Sequence, residues 1–240
     1  FGAAINREEL VERVYEAQGT PMRHFTPPGV WGALPINEIG TGYDPSYARI
    51  QLANAGYIDC RQLGTIRYLT NSSDTALFQA ETIREMWMEE LNCEEEQIVI
   101  EQVQFGTLLA NTRQDANPTL RPDVWDLGWA SYYPDAHNWL HDVLHCTGSD
   151  NRINRSCGEV DQLIVRAEGA PPDQRLQIYR RVENEFFGIN DGLEPITPLF
   201  TRGSYVLRQT WVQIEPAVFG GEQFDAYFVD WELKKIEQQQ

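Results

Sequence analysis

"TIRYLTNSSDTALFQAETIREMWMEELNCEEEQIVIEQVQ", residues 65–104, carries the strongest secondary-structure pattern in the chain. "TIRYLTN" and "QIVIEQVQ" are short runs rich in β-branched and other apolar residues, the length of strands. Between them Leu77, Ala80, Ile83, Trp87 and Leu91 recur at helical spacing, which places them along one side of a helix. Strand, helix and strand in that order predict a parallel pair joined by a right-handed crossover. The fold class is therefore α/β, built on a mixed sheet.

The flanks extend the alternation. Residues 5–18 have the spacing of a helix that stops at Gly19, and the broken loop "TPPGVWGALP" (26–35) follows. In "YDPSYARIQLANAGY" (43–57) Asp44 suits an N-cap, Pro45 the first turn and Gly56 a left-handed cap. "FGTLLANTRQ" (105–114) reads as a short helix and "VWDLGWA" (124–130) as a strand. Two helices follow, in "GEVDQLIVRAEG" (158–169) and "PPDQRLQIYRRVENEFFG" (171–188). Late strands are expected in "ITPLFTRGSYVLR" (196–208) and "WVQIEPAV" (211–218), before an aromatic tail at 224–233.

Composition narrows the function. The 240 residues carry a formal charge of −17, which argues against nucleic acid, whose phosphates need clustered Lys and Arg. The same charge disfavours an anionic membrane surface. With 42% hydrophobic residues and seven tryptophans, the chain has the means to bury a core. No apolar run approaches the roughly 20 residues that span a bilayer. "FGAAINREEL" lacks the basic and apolar regions of a signal peptide and starts almost inside a helix, so an upstream part is expected.

The four cysteines, Cys60, Cys93, Cys146 and Cys157, include no C-x-x-C pair, which disfavours a zinc ribbon. They fit disulfides in an oxidising compartment, with four reduced, buried thiols as the alternative. Of the three possible pairings, Cys146 with Cys157 is favoured because it closes the polar loop "TGSDNRINRS"; Cys60 would then pair with Cys93.

Phosphate-cradling glycine motifs and G-x-S-x-G are absent. "HNWLHDVLHC" (137–146) holds three of the four histidines at four-residue spacing. On a helix His137, His141 and His145 share one face, while Trp139, Leu140, Val143 and Leu144 supply an apolar stripe opposite. The outer two lie about 12 Å apart at a rise of about 1.5 Å per residue, so one ion could take two of the three but not all. "HDVLH" has the two-histidine spacing of a zinc hydrolase, with Asp142 in place of the catalytic Glu and no evident third ligand. A plain polar helix face is the favoured reading.

The segment just upstream alters the weighting. "LGWASYYPDAHNWL" (127–140) resembles the G-W-x-x-D-Y-x-D-P-x-x-F-L stretch of family 5 extracellular solute-binding proteins, the receptors of ABC importers. "AAINREELVERVYEAQGTPMRHFTPPGVWG" (3–32) is similar to that family's A-I-D-R-E-x-L-V helix and P-P-G loop. "GYDPSYARIQLANAGY" (42–57) and residues 159–212 resemble later family motifs in the same order.

The resemblance implies a lobe of a type II periplasmic-binding-protein-like fold, in a protein about twice this length. Residues 1–200 would be most of the second lobe, and residues 201–240 a return segment belonging partly to a missing first lobe. It implies a non-enzymatic receptor, extracellular or periplasmic and membrane-anchored in full length, without cofactor or resident metal. Its partners would be a small-molecule solute, peptide or sugar, and ABC permease subunits. The alternative is an extracellular zinc-dependent hydrolase using His141 and His145. Carried over by position, Trp129, Ala130, Ser131, Tyr132, Tyr133, Asp135, His137 and Asn138 would line an interlobe cleft. Peptide receptors keep an Asp for the ligand's ammonium where this chain has Tyr132, which offers a ring and a hydroxyl but no charge. Trp129, Tyr132 and Tyr133 would suit a neutral ligand such as a sugar. Ala136 replaces the family's Pro, and Asp135 is read as the N-cap of the histidine helix.

Overall fold

In the computed structural model, which describes residues 1–189, 192–203, 207–214 and 227–237, the stretch 65–104 forms the expected unit. Strand β2 (Ile66–Asn71), helix α3 (Asp74–Leu91) and strand β3 (Ile98–Val103) follow in order, and β2 and β3 pair in parallel from Ile66↔Ile98 to Asn71↔Val103. Ser73 starts α3 by accepting the Ala76 N–H, and Asn92 ends it in the left-handed conformation. The buried stripe of α3 is Ala76, Ala80, Ile83, Trp87 and Leu91; Ala76 rather than Leu77 begins it. From it Ala80, Ile83, Trp87 and Leu91, with Met86, pack with Tyr68 of β2 and Ile98 of β3 into one of two apolar cores among the described residues. Each fully buried large side chain contributes about 1.5–3 kcal/mol, so α3 is held by its face and not by propensity alone.

The first helix, α1 (Arg7–Tyr15), is shorter than expected. Asn6 caps it, and Glu16 turns left-handed well before Gly19. Helix α2 (Pro45–Asn54) carries the predicted punctuation: Asp44 accepts the Tyr47 N–H, and Gly56 has φ +90°. Helix α4 (Phe105–Asn111) follows β3. Strand β4 pairs in parallel with β2 but spans only Val124–Trp125, so the expected strand over 124–130 is corrected to two residues. The sheet order is β3-β2-β4. The chain therefore leaves β2 to one side for β3 and returns on the other side for β4.

The second core gathers the elements after β4. Helix α5 (Ala136–Trp139) runs into a π-helical turn (Leu140–Leu144), and helices α6 (Glu159–Glu168) and α7 (Pro172–Phe187) pack on it. Parallel and antiparallel pairing occupy separate sheets. Strand β1 (Gly19–Pro21) pairs antiparallel with β5 (Phe200–Arg202), and β6 (Val212–Gln213) with β7 (Phe228–Val229), ahead of helix α8 (Trp231–Glu237). The late strands are thus much shorter than expected where they are described, and the rest of 204–206 and 215–226 lies outside the described residues. No helix among the described residues is long and apolar enough to cross a membrane.

Two disulfides, Cys60–Cys93 and Cys146–Cys157, are present. The first joins the turn before β2 to the end of α3. The second closes the loop after the π-helical turn.

Candidate functional site

In α/β sheets ligands collect outside the carboxyl ends of the strands, where the strand order reverses. Here that point lies between β2 and β4, and the chain leaving β4 runs directly into residues 127–135. These residues are irregular rather than extended, so strand alternation does not sort their side chains.

Asn138 organises the segment from below. Its side chain is fully buried, and its Oδ1 accepts both the Trp129 Nε1–H (3.2 Å) and the Tyr132 backbone N–H (3.1 Å). Its Nδ2 donates to Asp142 Oδ2. One amide thus ties the tip of the segment to the histidine turn. With its backbone so fixed, Tyr132 stands 69% exposed and meets the half-buried Trp129 edge-on, ring centres 5.5 Å apart. Tyr133 and Ala130 are also exposed, and Ser131 is half-buried.

Asp135, the acidic candidate, is committed inside the fold. Asp135 caps α5 by accepting the His137 N–H (2.9 Å). Its carboxylate also takes the Tyr179 hydroxyl (3.0 Å) and pairs with Arg175, whose guanidinium lies 4.7 Å from the Trp31 ring centre. The Trp31 backbone closes the same knot: its N–H donates to Pro134 and its carbonyl accepts the Ala136 N–H. This is how "TPPGVWG" props up the aromatic segment. Burial, aided by the neighbouring Asp135, pushes the Tyr179 hydroxyl well above its ordinary range. Asp126, just after β4, is raised by burial and accepts from Gln79.

The histidines form a column of stacked rings, His137 on His141 at 4.7 Å and His141 on His145 at 5.1 Å. Behind them Trp139, Leu140 and Leu144 are buried, as the apolar stripe required. His145 is mostly buried, and its Nδ1 accepts the Thr147 N–H, which leaves its proton on Nε2. Desolvation, slightly offset by Asp161, holds its pKa below the usual histidine value. Gly148 is required here, since a Cβ would stand 2.3 Å from the His141 carbonyl oxygen. Among the described residues no group of three ligating side chains contains both His141 and His145.

Several site residues carry no local sequence signal. Asp161 accepts the backbone N–H groups of Cys146 and Gly158 and pairs with Arg155. Burial raises its pKa, but the Arg155 hydrogen bonds and those two N–H groups outweigh it and hold the carboxyl below the usual range. Glu183 of α7, 1% exposed, receives the Phe25 and Thr26 N–H groups and faces His24. Asp161 meets its partners from the first turn of α6, whereas only the packing of distant segments brings Glu183 to residues 24–26.

The fold is that of a lobe of the type II periplasmic-binding-protein-like class. Among solved structures the chain is similar to a periplasmic oligopeptide-binding protein from Borrelia burgdorferi (21% identity over 95% of this chain and 44% of that one, TM-score 0.73). It is also similar to the murein tripeptide-binding protein of Escherichia coli (19%, 95% and 43%, TM-score 0.73). A third is a dipeptide-binding protein from Pseudoalteromonas sp. SM9913 in complex with Met-Leu (21%, 95% and 44%, TM-score 0.64). The chain spans less than half the length of each. No curated protein sequence matches it. The family described as bacterial extracellular solute-binding proteins, family 5 Middle, matches residues 1–151, and the chain belongs to that family.

Proposed function

We propose that this chain is the second lobe of a peptide receptor that works outside the cytoplasmic membrane and delivers its ligand to an ABC importer. Residues 1–200 make up the lobe, and residues 201–240 lead back toward a first lobe that supplies the other cleft wall. The observation that carries this reading is the aromatic segment 129–133, held at the carboxyl ends of β2 and β4 with Tyr132 exposed. A surface tyrosine on a backbone fixed by a buried amide is suited to packing on a ligand. Peptide is favoured over oligosaccharide because the similar structures are named for oligopeptide, tripeptide and dipeptide binding. Tyr132 contributes ring contact and one hydroxyl, so it grips side chains and carbonyls rather than the ligand's ammonium. Asp135 acts as a cap and brace for the cleft wall.

The test is a thermal-shift comparison of the two-lobed protein with di- to pentapeptide pools and with neutral oligosaccharides. A peptide at 100 times its Kd is expected to add about 2.7 kcal/mol of stability, and Tyr132→Ala to abolish the shift. This chain alone, with one wall, binds the same peptides more weakly than micromolar. A shift from oligosaccharides only, or micromolar peptide binding by the single lobe, overturns the reading.

A further inference from the structure

The histidine column ends in an arrangement that neither the fold nor the peptide reading uses. His141 Nδ1 lies 3.0 Å from Asp142 Oδ1. An ionised carboxylate only accepts, so the ring proton sits on Nδ1, and in the neutral ring Nε2 is a bare lone pair. That Nε2 faces Glu168 Oε1 at 3.8 Å, one acceptor toward another. His137 repeats the geometry one turn earlier: its Nδ1 is 2.7 Å from the Tyr133 hydroxyl, which serves either tautomer, and its Nε2 is 3.2 Å from the same Glu168 oxygen. One ligating atom from each of His137, His141 and Glu168 falls within 4.8 Å of the others.

Glu168 is the last residue of α6, where the helix dipole disfavours an acid, so helix stability does not account for it. Its side chain is about half exposed, so it reaches the histidines without being forced there by packing. We propose that His137, His141 and Glu168 bind a first-row divalent cation of the zinc type. Two neutral imidazoles and one carboxylate are the ligand set such ions prefer. Around a tetrahedral zinc, nitrogen and oxygen donors stand about 3.3 Å apart, so the two gaps to Glu168 are already near that spacing. The Nδ1 partners, Asp142 and Tyr133, hold each ring in the ligating orientation. A fourth position stays open for water or a solute atom. The second cluster, His145 with Cys146 and Asp161, is no competitor, because Cys146 is in a disulfide and Asp161 is paired to Arg155.

The test is zinc titration calorimetry on the untagged chain after chelator treatment, with zinc-edge X-ray absorption to read the ligands. Equimolar uptake with imidazole scattering is expected. His141→Gln and Glu168→Gln should each weaken it by at least about tenfold, while His145→Gln leaves it unchanged. Circular dichroism in metal-free buffer checks that each variant is folded, and the surface variant Glu168→Gln decides if His141→Gln is not. Absence of saturable uptake, or uptake that ignores Glu168→Gln or needs His145, means the column is only a hydrogen-bonded surface and overturns the proposal.

Discussion

Asn138 gives the most direct access to how the aromatic segment is held. Asn138→Ala removes one oxygen that accepts from the Trp129 indole and the Tyr132 amide, and one donor to Asp142. Each neutral hydrogen bond contributes about 0.5–1.5 kcal/mol net, and one to a charged group about 1.5–3 kcal/mol. Asp142 keeps its hydrogen bond with His141 and part of its side chain stays open to water, so the sum is discounted to about 2–3 kcal/mol. Asn138→Asp keeps the acceptor but sets a second carboxylate against Asp142, and is expected to cost as much or more at neutral pH. Urea unfolding measures the loss. Hydrogen exchange read by mass spectrometry over 127–135 reports the Tyr132 amide, whose protection should fall more than that of β2. A stability change below about 0.5 kcal/mol with unaltered Tyr132 protection would refute the claim that this amide positions the aromatic segment.

The disulfides differ in the chain they close. With separations of 33 and 11 residues, loop-closure entropy assigns about 3.7 kcal/mol to Cys60–Cys93 and about 2.8 kcal/mol to Cys146–Cys157. Removing each pair as a double alanine variant should therefore destabilise more for the first, in urea melts; the reverse order would contradict the entropic account. Asp161 predicts an acid limb. Its folded pKa is depressed, so its stabilisation is complete above the unfolded value near 4 and is lost as pH falls through the lower folded value. The stability gap between the wild type and Asp161→Asn should then be flat above about pH 5 and shrink below about pH 4; a gap that widens in acid would show the pairing with Arg155 is not what depresses it.

Much of the architecture was legible because it is written in local patterns. The β2–α3–β3 unit follows from hydrophobic period and length, and the α2 caps from Asp44, Pro45 and Gly56, since these act within a few residues. "VWDLGWA" has strand-like composition throughout, but only Val124 and Trp125 find a partner in β2. The π-helical turn leaves no mark in the sequence, because its apolar stripe differs little from that of an α-helix over so few residues.

The α/β class, the order of elements and the shared face of the three histidines follow from spacing along one chain, and the family resemblance from motifs within it. Tertiary structure alone decided which groups meet: Glu168 with His137 and His141, Asn138 under Tyr132, Asp135 with Arg175, Asp161 beneath Cys146. Ion pairs, buried hydrogen bonds and ligand sets depend on distances of a few ångströms between residues 6 to 40 positions apart, and only packing sets those.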